Sequence, residues 1–487
     1  MRRGLRATTI LFLIAVSCGK GRRGAAAPTV PPGDALYFRD GIPSEQTEIE
    51  LILARGGFAH VFLPAVHVER SGNAWSAKEV APPARPLSGV PVVLVVGAPG
   101  VGFDPSAGEA FATSIEGALG RVLASRNAYG KVEGVHVQLA FPVGAVEAFG
   151  SILGRIRKAV PADLFVTCTL EGAPAEKERD EFRKRLSPAD GFVTFVFGER
   201  AQGDLVAADA LGKPWWAGYA PSAVGEWKDA AGNPRGELVE GDLSALTDEP
   251  LTPLHQELSL STEEPSAFLF RPTARVEIRG KTFEPGDQIS FRQPAVSELL
   301  YRFGSDLTGR KLVRGRLIRL DGVSEGQRLF TLAALSDVLL GRPLVPDLRV
   351  RIVPGAAAIR VEAENLSDHA SVISRTTNWV EVEVPPGEVR DAQLGGFDRY
   401  EVFDAEGRPV TPGRAARLRF FEILVGPRER IEPATIQLRG QPPPGCCRFR
   451  QHVLAASGSE VSGDWISPPP PPTPTPRPAP AKSKRRG

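Results

Sequence analysis

Short apolar segments rich in β-branched residues alternate with longer amphipathic stretches from residue 34 onward, and this alternation constrains the fold more than any other feature. The apolar segments predict strands at 35–38, 58–63, 92–96, 135–141, 164–170, 192–197 and 215–219. Helices are predicted between them at 44–55, 106–126, 143–160 and 175–186. Such alternation is typical of a parallel sheet with crossover helices.

The number of these units favours a closed (β/α)8 TIM-like barrel over an open sheet. The eighth strand is predicted at 315–320 and its helix at 329–340. An irregular insertion at about 220–306 separates the seventh and eighth strands. Within it, segments 274–278 and 288–291 flank Pro285-Gly286-Asp287 and predict a hairpin over one end of the barrel. The barrel domain is therefore expected to span residues 34–345.

The pattern changes beyond residue 346, where apolar and polar residues alternate in short segments. These segments are 349–353, 358–364, 379–384, 400–403, 417–424 and 435–438, and pairs such as Pro354-Gly355 and Pro386-Gly387 separate them. Short strands between regular turns predict a small all-β sandwich over residues 346–440. Residues 441–487 are rich in proline and end in basic residues, which predicts an extended, disordered basic tail.

The first 33 residues predict export and a lipid anchor. Arg2, Arg3 and Arg6 precede an apolar run at 10–16 that is too short to span a bilayer, as in a secretory signal. Ala15-Val16-Ser17-Cys18 then resembles the bacterial lipobox, in which the cysteine is acylated and becomes the new N-terminus. We therefore expect a signal peptide at 1–17 and a flexible tether at 18–33, with cleavage by an ordinary signal peptidase as the alternative. The predicted location is the membrane of a bacterial cell envelope, facing the periplasm or the exterior.

Charge and cysteine content exclude several classes of function. Lys and Arg number 59 and Asp and Glu 57, so there is no electrostatic case for binding nucleic acid. Cys168 lies in the apolar run 164–170 and is expected to be a buried, inert thiol. Cys446 and Cys447 are adjacent, so either a vicinal disulfide or a bridge to another chain is open. Nearby metal ligands are missing, and neither a metal nor another cofactor is predicted.

Candidate catalytic residues are sought at the C-terminal ends of the strands, where reactive groups cluster in such barrels. Glu171 follows the fifth predicted strand and Glu199 follows the sixth. Glycoside hydrolysis usually needs two carboxylates that face each other, and residues on neighbouring strands meet that requirement. Exposed loop glutamates without a catalytic role are the alternative interpretation.

A second set of residues at the same end suits ligand binding. Aromatic rings in this set can stack on sugar rings, although packing in the core is the alternative. The candidate ligand-binding residues are Arg39, Asp40, Gln138, Trp215, Trp216 and Tyr219.

The fourth strand reads Gly134-Val135-His136-Val137-Gln138-Leu139-Ala140-Phe141-Pro142. Here the chain resembles a family of uncharacterised bacterial envelope lipoproteins with a glycoside-hydrolase-like barrel, whose strand reads Gly-Val-Gln-Leu-Asp-Phe-Asp. The resemblance extends to Asp190-Gly191-Phe192 and to the helix at 335–342, and covers most of residues 34–440. The family's two acidic positions fall on Gln138 and Ala140, which cannot supply a proton or a nucleophilic carboxylate. Alternation along the strand places His136, Gln138 and Ala140 on one face, which we expect to be the barrel interior.

Three functions remain open from the sequence. The first is an envelope lipoprotein whose degenerate barrel binds a glycan or cell-wall polymer at its mouth without efficient catalysis. The second is a glycoside hydrolase that uses Glu171 and Glu199. The third is a structural or interaction lipoprotein whose partners meet the sandwich or the Pro-rich tail. The missing acids on the fourth strand favour a protein that is not an enzyme, and the sequence does not predict an oligomeric state.

Overall fold

The computed structural model describes most of the chain between residues 29 and 467. The described ranges are 29–39, 41–42, 46–55, 57–71, 74–102, 108–140, 145–170, 174, 176–195, 201–221, 224–239, 251–257, 266–278, 280–293, 307–320, 331–372, 374, 376–443, 446–455 and 457–467. The predicted signal peptide, Cys18 and the proline run from 468 lie outside them. No helix within these ranges has the length and apolar character needed to cross a bilayer.

The first part of the fold alternates strands with helices, as the apolar pattern predicts. Its strands are β1 (Asp34–Phe38), β2 (Phe58–Ser71), β3 (Ala74–Glu79), β4 (Leu87–Gly102), β5 (Gly130–Ala140), β6 (Phe165–Leu170), β7 (Gly191–Phe195) and β8 (Trp215–Tyr219). Its helices are α1 (Gln46–Arg55), α2 (Gly108–Ala124), α3 (Val146–Ala159), α4 (Arg179–Arg185) and α5 (Ala201–Ala210). The apolar stripe of α3 is buried against the sheet through Val146, Phe149, Ile152, Leu153 and Ile156.

An antiparallel insertion follows β8. Its strands are β9 (Val224–Lys228), β10 (Pro234–Val239), β11 (Leu251–Glu257), β12 (Ser266–Pro272), β13 (Val276–Ile278), β14 (Lys281–Phe283) and β15 (Gln288–Gln293). Five of them form a sheet in the order β10-β9-β15-β12-β11, and β13 pairs with β14.

The predicted hairpin between 274–278 and 288–291 was wrong. Segment 276–278 instead pairs with 281–283, and 288–293 lies between β9 and β12. The chain reverses at Gly280, whose φ of +74° suits a tight turn that glycine tolerates. The turn at 285–287 is held separately, because Trp227 donates through Nε1 to the buried Asp287 carboxylate at 2.8 Å.

The last barrel strand, β16 (Val313–Leu320), closes the sheet, and α6 (Leu332–Leu339) follows it. The eight parallel strands run in the order β1-β16-β8-β7-β6-β5-β4-β2, and β2 also pairs with β1. Strand β3 adds an antiparallel edge to the extended end of β2. This closed parallel cylinder confirms the predicted (β/α)8 barrel.

Two apolar cores lie on the two sides of the barrel wall, since successive side chains of a strand point to opposite faces. The outer core packs the strands against the helices. The inner core fills the cylinder with Val30, Ala35, Tyr37, Phe62, Val93, Val95, Phe165, Val193, Phe195, Trp216 and Leu317. The barrel is therefore packed with side chains along its axis, as expected for eight strands.

The C-terminal domain contains two antiparallel sheets around a third core, which confirms the all-β prediction. One sheet has the order β17-β18-β23-β20 and the other β21-β22-β19-β24-β25. The strands are β17 (Leu348–Pro354), β18 (Ala358–Asn365), β19 (Trp379–Glu383), β20 (Val389–Gln393), β21 (Arg399–Phe403), β22 (Arg417–Phe421), β23 (Arg430–Leu438), β24 (Phe449–Leu454) and β25 (Glu460–Ser462).

This domain continues beyond residue 440, which was the predicted end of the sandwich. Strand β24 pairs with β19, and its Phe449 and Val453 are buried in the domain core. Residues 446–455 and 457–467 thus belong to the β domain rather than to the tail. The segment 449–453 places two apolar residues, Phe449 and Val453, around polar ones, and this pattern was too weak to predict a strand.

Candidate functional site

The polar centre of the barrel is built on β5. His136 points into the cylinder, where it is 1% exposed and meets the edge of the Phe62 ring. Its two ring nitrogens lie 3.0 Å from Thr167 Oγ1 and 2.9 Å from Thr169 Oγ1. Burial lowers the pKa of His136 to about 3, so the imidazole is neutral at physiological pH. The neutral ring is held in place by its contacts with the two threonine hydroxyls.

Gln138 occupies the next inward position and is 5% exposed. The Tyr37 hydroxyl, reaching across from β1, donates a hydrogen bond to Gln138 Oε1. Close approach of the wall to this point depends on Gly97 of β4, because a Cβ there would lie 1.9 Å from the Gln138 carbonyl oxygen. The amide and the phenol thus form a neutral hydrogen-bonded pair inside the cylinder.

The buried polar side chains on the described residues of the eight barrel strands do not include a carboxylate. They are His60, His136, Gln138, Thr167, Thr169 and Thr194. Groups of three or more His, Cys, Asp or Glu side chains that could hold a metal ion are likewise not found among the described residues. The described interior therefore offers mainly neutral hydrogen-bonding groups. The exception is His60, which pairs through Nδ1 with the half-buried Glu133 carboxylate of β5, near the N-terminal ends of the strands.

The two candidate catalytic residues, Glu171 and Glu199, lie outside the described residues. Their strands are neighbours: β6 ends at Leu170, β7 ends at Phe195, and Leu170 pairs in register with Thr194. Asp40 and the side chain of Ala140 also lie outside the described part of the chain.

The three aromatic residues of β8 do not share one surface. Trp216 points inward, while Trp215 and Tyr219 point to the outer core, because adjacent residues of a strand face opposite sides. All three are at most 2% exposed. Trp215 stacks on Phe192 with ring planes 4° apart and donates to Asp209 at 3.0 Å. The structure thus places these rings in the packed core, and it does not bring Trp215 or Tyr219 together with Gln138.

The mouth of the barrel is described in part. Arg39 directly follows β1, its backbone N–H donates to the Leu320 carbonyl at 3.0 Å, and its side chain is half-buried. The Arg319 guanidinium lies over the Phe195 ring, 5.1 Å from its centroid. Arg39 and Arg319 thus carry positive charge to the C-terminal ends of β1 and β16, which are paired neighbours.

The opposite end of the barrel is closed by residues 30–33, so the predicted flexible tether at 18–33 was wrong for these residues. Val30 is 2% exposed inside the cylinder. Trp216 Nε1 donates to the Gly33 carbonyl at 2.9 Å, and His60 Nε2 lies 3.2 Å from the Pro32 carbonyl. The only available sequence signal was the apolar Val30 beside two prolines, which is too short for a pattern.

The three described cysteines are a buried free thiol and a disulfide pair. Cys168 is buried in the outer core, and burial raises the pKa of its thiol to about 12, so it is not a nucleophile near neutral pH. Cys446 and Cys447 form a vicinal disulfide at the edge of the β-domain core. This resolves the choice left open by their adjacency in favour of the intrachain bond.

No protein-family model and no curated protein matches the sequence. Solved structures similar to this chain include a chitinase from Chromobacterium violaceum, with 13% identity, 63% of this chain and 99% of that chain covered, and a TM-score of 0.40. The Bacillus cereus spore cortex-lytic enzyme SleL has 10% identity and a TM-score of 0.41, with 65% of this chain and 75% of that chain covered. A glycoside hydrolase family 18 N-acetylglucosaminidase from Paenibacillus barengoltzii has 13% identity and a TM-score of 0.38, with 63% of this chain and 100% of that chain covered. The strand pairings, rather than these comparisons, establish the barrel.

Proposed function

We propose that this protein is a lipid-anchored cell-envelope protein whose barrel binds a glycan or cell-wall polymer at its mouth without efficient hydrolysis. The observation that carries the proposal is the neutral Tyr37–Gln138 pair above the enclosed His136. Glycoside hydrolysis in its common form uses one carboxyl group that donates a proton and a second that attacks or activates water. The described interior has an amide, a phenol and an imidazole with a pKa of about 3 in place of these carboxyls.

Ligand contacts are placed on Arg39, Asp40 and the segments that follow the strands. Arginine donates several hydrogen bonds in a fixed geometry that suits hydroxyl and carboxylate oxygens of a polymer. Trp215, Trp216 and Tyr219 are left out of this surface, because they are buried on both sides of the barrel wall. The envelope location rests on the basic start, the short apolar run and the lipobox-like segment that ends at Cys18.

A hydrolase that uses Glu171 and Glu199 is the second candidate. One observation favours it: β6 and β7 are hydrogen-bonded neighbours, so the segments that carry the two glutamates leave adjacent points of the barrel rim. This candidate needs no acidic residue on β5, which is the fourth predicted strand. It differs from the first proposal in a single measurable property, which is turnover.

The full-length protein, purified in mild detergent, tests both candidates by cosedimentation with insoluble peptidoglycan and chitin and by release of reducing ends. We expect binding without release. Arg39→Ala should weaken binding severalfold, because it removes a charged donor at the mouth. Arg360→Ala, an exposed change in the β domain, is the matched control and should leave binding unchanged.

The opposite results are equally clear. Release of reducing ends that disappears in Glu171→Gln or Glu199→Gln establishes the hydrolase. Absence of binding to every polymer overturns both candidates and leaves an interaction lipoprotein. Labelling of producing cells with a tagged fatty acid, compared between the wild type and Cys18→Ala, tests the anchor separately.

A further inference from the structure

Positive charge is concentrated at one end of the barrel. We call this end the barrel floor: the N-terminal ends of the parallel strands and the segments that enter them, with its charged residues at 30–34, 125–133, 157–165, 186–191, 211–215 and 307–316. These segments contain nine Lys or Arg residues but four Asp or Glu residues, whereas the whole chain has a net charge of only +2. The excess is therefore a local property of this surface.

Four of the nine basic side chains are used by the fold itself. Arg157 pairs with Asp190 at 3.2 Å, Arg310 pairs with Asp209, Arg316 pairs with Asp34, and Lys213 donates to the carbonyl oxygens of Leu186 and Ser187. These contacts stabilise the loops that enter β6, β7, β8 and β16. They do not account for the rest of the charge.

The remaining five basic residues are Arg126, Lys131, Lys158, Lys311 and Arg314. Lys131, Lys158 and Lys311 are exposed, and no ion pair within 4.0 Å is found for them among the described residues. Arg126 faces one exposed acid, Asp163, at 3.6 Å. The barrel floor thus presents a surplus of positive charge to solvent.

The chain enters the fold at this same surface. Gly33 N–H donates to the Arg314 carbonyl at 2.7 Å, and residues 30–33 lie across the N-terminal ends of the strands. The segment that connects them to Cys18 contains Lys20, Arg22 and Arg23 and no acidic residue. From residue 18 to residue 30 it reaches at most about 40 Å, and as a flexible coil about 20 Å. An anchor at Cys18 would therefore hold the barrel floor, rather than the mouth, beside the membrane.

From this arrangement we infer that the barrel floor docks on the anionic lipid headgroups of the membrane that holds the anchor, with the barrel mouth directed away from the bilayer. The inference rests on the lipid anchor of the proposed function. A basic surface is a recognised contribution to membrane binding beside acyl chains. Basic residues near an anionic membrane surface each strengthen binding by about fivefold.

Vesicle sedimentation tests the docking surface without the acyl group. The chain from residue 19 to 487 keeps every described contact, because the described fold begins at Thr29. It is mixed with phosphatidylcholine vesicles that contain about one third phosphatidylglycerol, or none. We compare the wild type with the triple variant Lys131→Gln, Lys158→Gln, Lys311→Gln. The control variant Arg351→Gln, Arg360→Gln, Arg408→Gln removes the same charge from exposed positions of the β domain.

We expect binding to the anionic vesicles only, weakened about a hundredfold in the floor variant and only a fewfold in the control. Raising the NaCl concentration should reduce the wild-type affinity, because exposed charges are screened. Absence of binding to anionic vesicles, or an equal loss in both variants, overturns the inference. Binding to soluble polyglutamate but not to vesicles also overturns it, since the occupant would then be a polymer.

Orientation is measured on the acylated full chain in vesicles. A fluorophore on Lys131→Cys, at the barrel floor, or on Lys78→Cys, an exposed position beside the C-terminal half of β2, is paired with an acceptor on the lipid headgroups. The native thiols do not interfere, because Cys168 is buried and Cys446 and Cys447 are bonded to each other. Stronger energy transfer from position 131 is expected, and equal transfer from both positions overturns the inference. Failure of glycan binding leaves both readouts unaffected, so the two proposals fail separately.

Discussion

Glu422 provides the strongest test of the physical reasoning in the β domain. It directly follows β22, is largely buried, and its Oε2 has no hydrogen-bond partner among the described residues. Burial, followed by repulsion from Asp398 and Glu429, raises the pKa of Glu422 from 4.5 to about 10. The folded domain therefore keeps this carboxyl protonated at pH 7, whereas the unfolded chain ionises it.

The magnitude follows from the gap between the two states. Because the folded pKa of Glu422 is raised, its contribution to stability is complete below pH 4.5 and is lost progressively as the pH rises towards 10. At pH 7 the loss amounts to about 3 kcal/mol, at about 1.4 kcal/mol for each pH unit above the ordinary pKa. This is a substantial part of the free energy of unfolding of a typical folded domain, which is about 5–15 kcal/mol.

Glu422→Gln keeps the shape of the protonated carboxyl and removes its titration. We expect the free energy of unfolding of the β domain at pH 7 to rise by about 2–3 kcal/mol. The dependence of that stability on pH between 5 and 7 should also become shallower. Urea unfolding of the full-length protein, with hydrogen exchange of peptides from 417–438 to identify the β-domain transition, measures both quantities.

Glu401→Gln is the matched control, because its side chain is 43% exposed on neighbouring β21. Its effect should stay within about 0.5 kcal/mol, as for most surface substitutions. The reasoning is refuted if Glu422→Gln is no more stable than the wild type at pH 7. An unchanged slope of stability against pH would refute it as well.

Three further predictions concern the barrel. Gln138→Ala removes the acceptor of the Tyr37 hydroxyl and should cost about 1–3 kcal/mol of barrel stability in urea unfolding, with Tyr37→Phe restoring part of the loss. Because burial lowers the pKa of His136 to about 3 from 6.5, the stability it contributes is complete above pH 6.5 and falls as the pH drops towards 3. Between pH 7 and pH 5 the barrel should lose about 2 kcal/mol, and His136→Gln should remove that loss. Cys168, with its pKa raised to about 12, should resist iodoacetamide at pH 8 in the native protein and react once urea unfolds the barrel; native-state alkylation would contradict its burial.

Local sequence patterns predicted the barrel strands well, because each is a short apolar run between turn residues. The run 215–219 coincides with β8, and 164–170 contains β6. Helix α5 (Ala201–Ala210) was not predicted, since its small alanine-rich segment has little amphipathic contrast. The insertion was harder, because several short strands of similar composition can pair in more than one order.

For the candidate site, the sequence predicted only which side chains of β5 face the barrel interior. Alternation along β5 correctly placed His136 and Gln138 inside the cylinder. Their partners come from other strands: Tyr37 is 101 residues from Gln138, and Thr167 is 31 residues from His136. The aromatic residues of β8 show the limit of composition, because three large rings in one segment allowed either a binding surface or core packing, and they lie in two separate cores.

The sequence by itself determined the strand–helix alternation, the change to a β domain and the absence of acidic residues from 134–140, because these are properties of neighbouring residues. Only the tertiary structure decided that residues 30–33 close the barrel floor, that β24 joins the β domain and that the aromatic rings are buried. Each of these depends on contacts between segments far apart in the chain, such as Gly33 with Trp216. The free energy of such contacts depends on which surfaces meet in the folded chain. The local periodicity of the sequence does not contain that information.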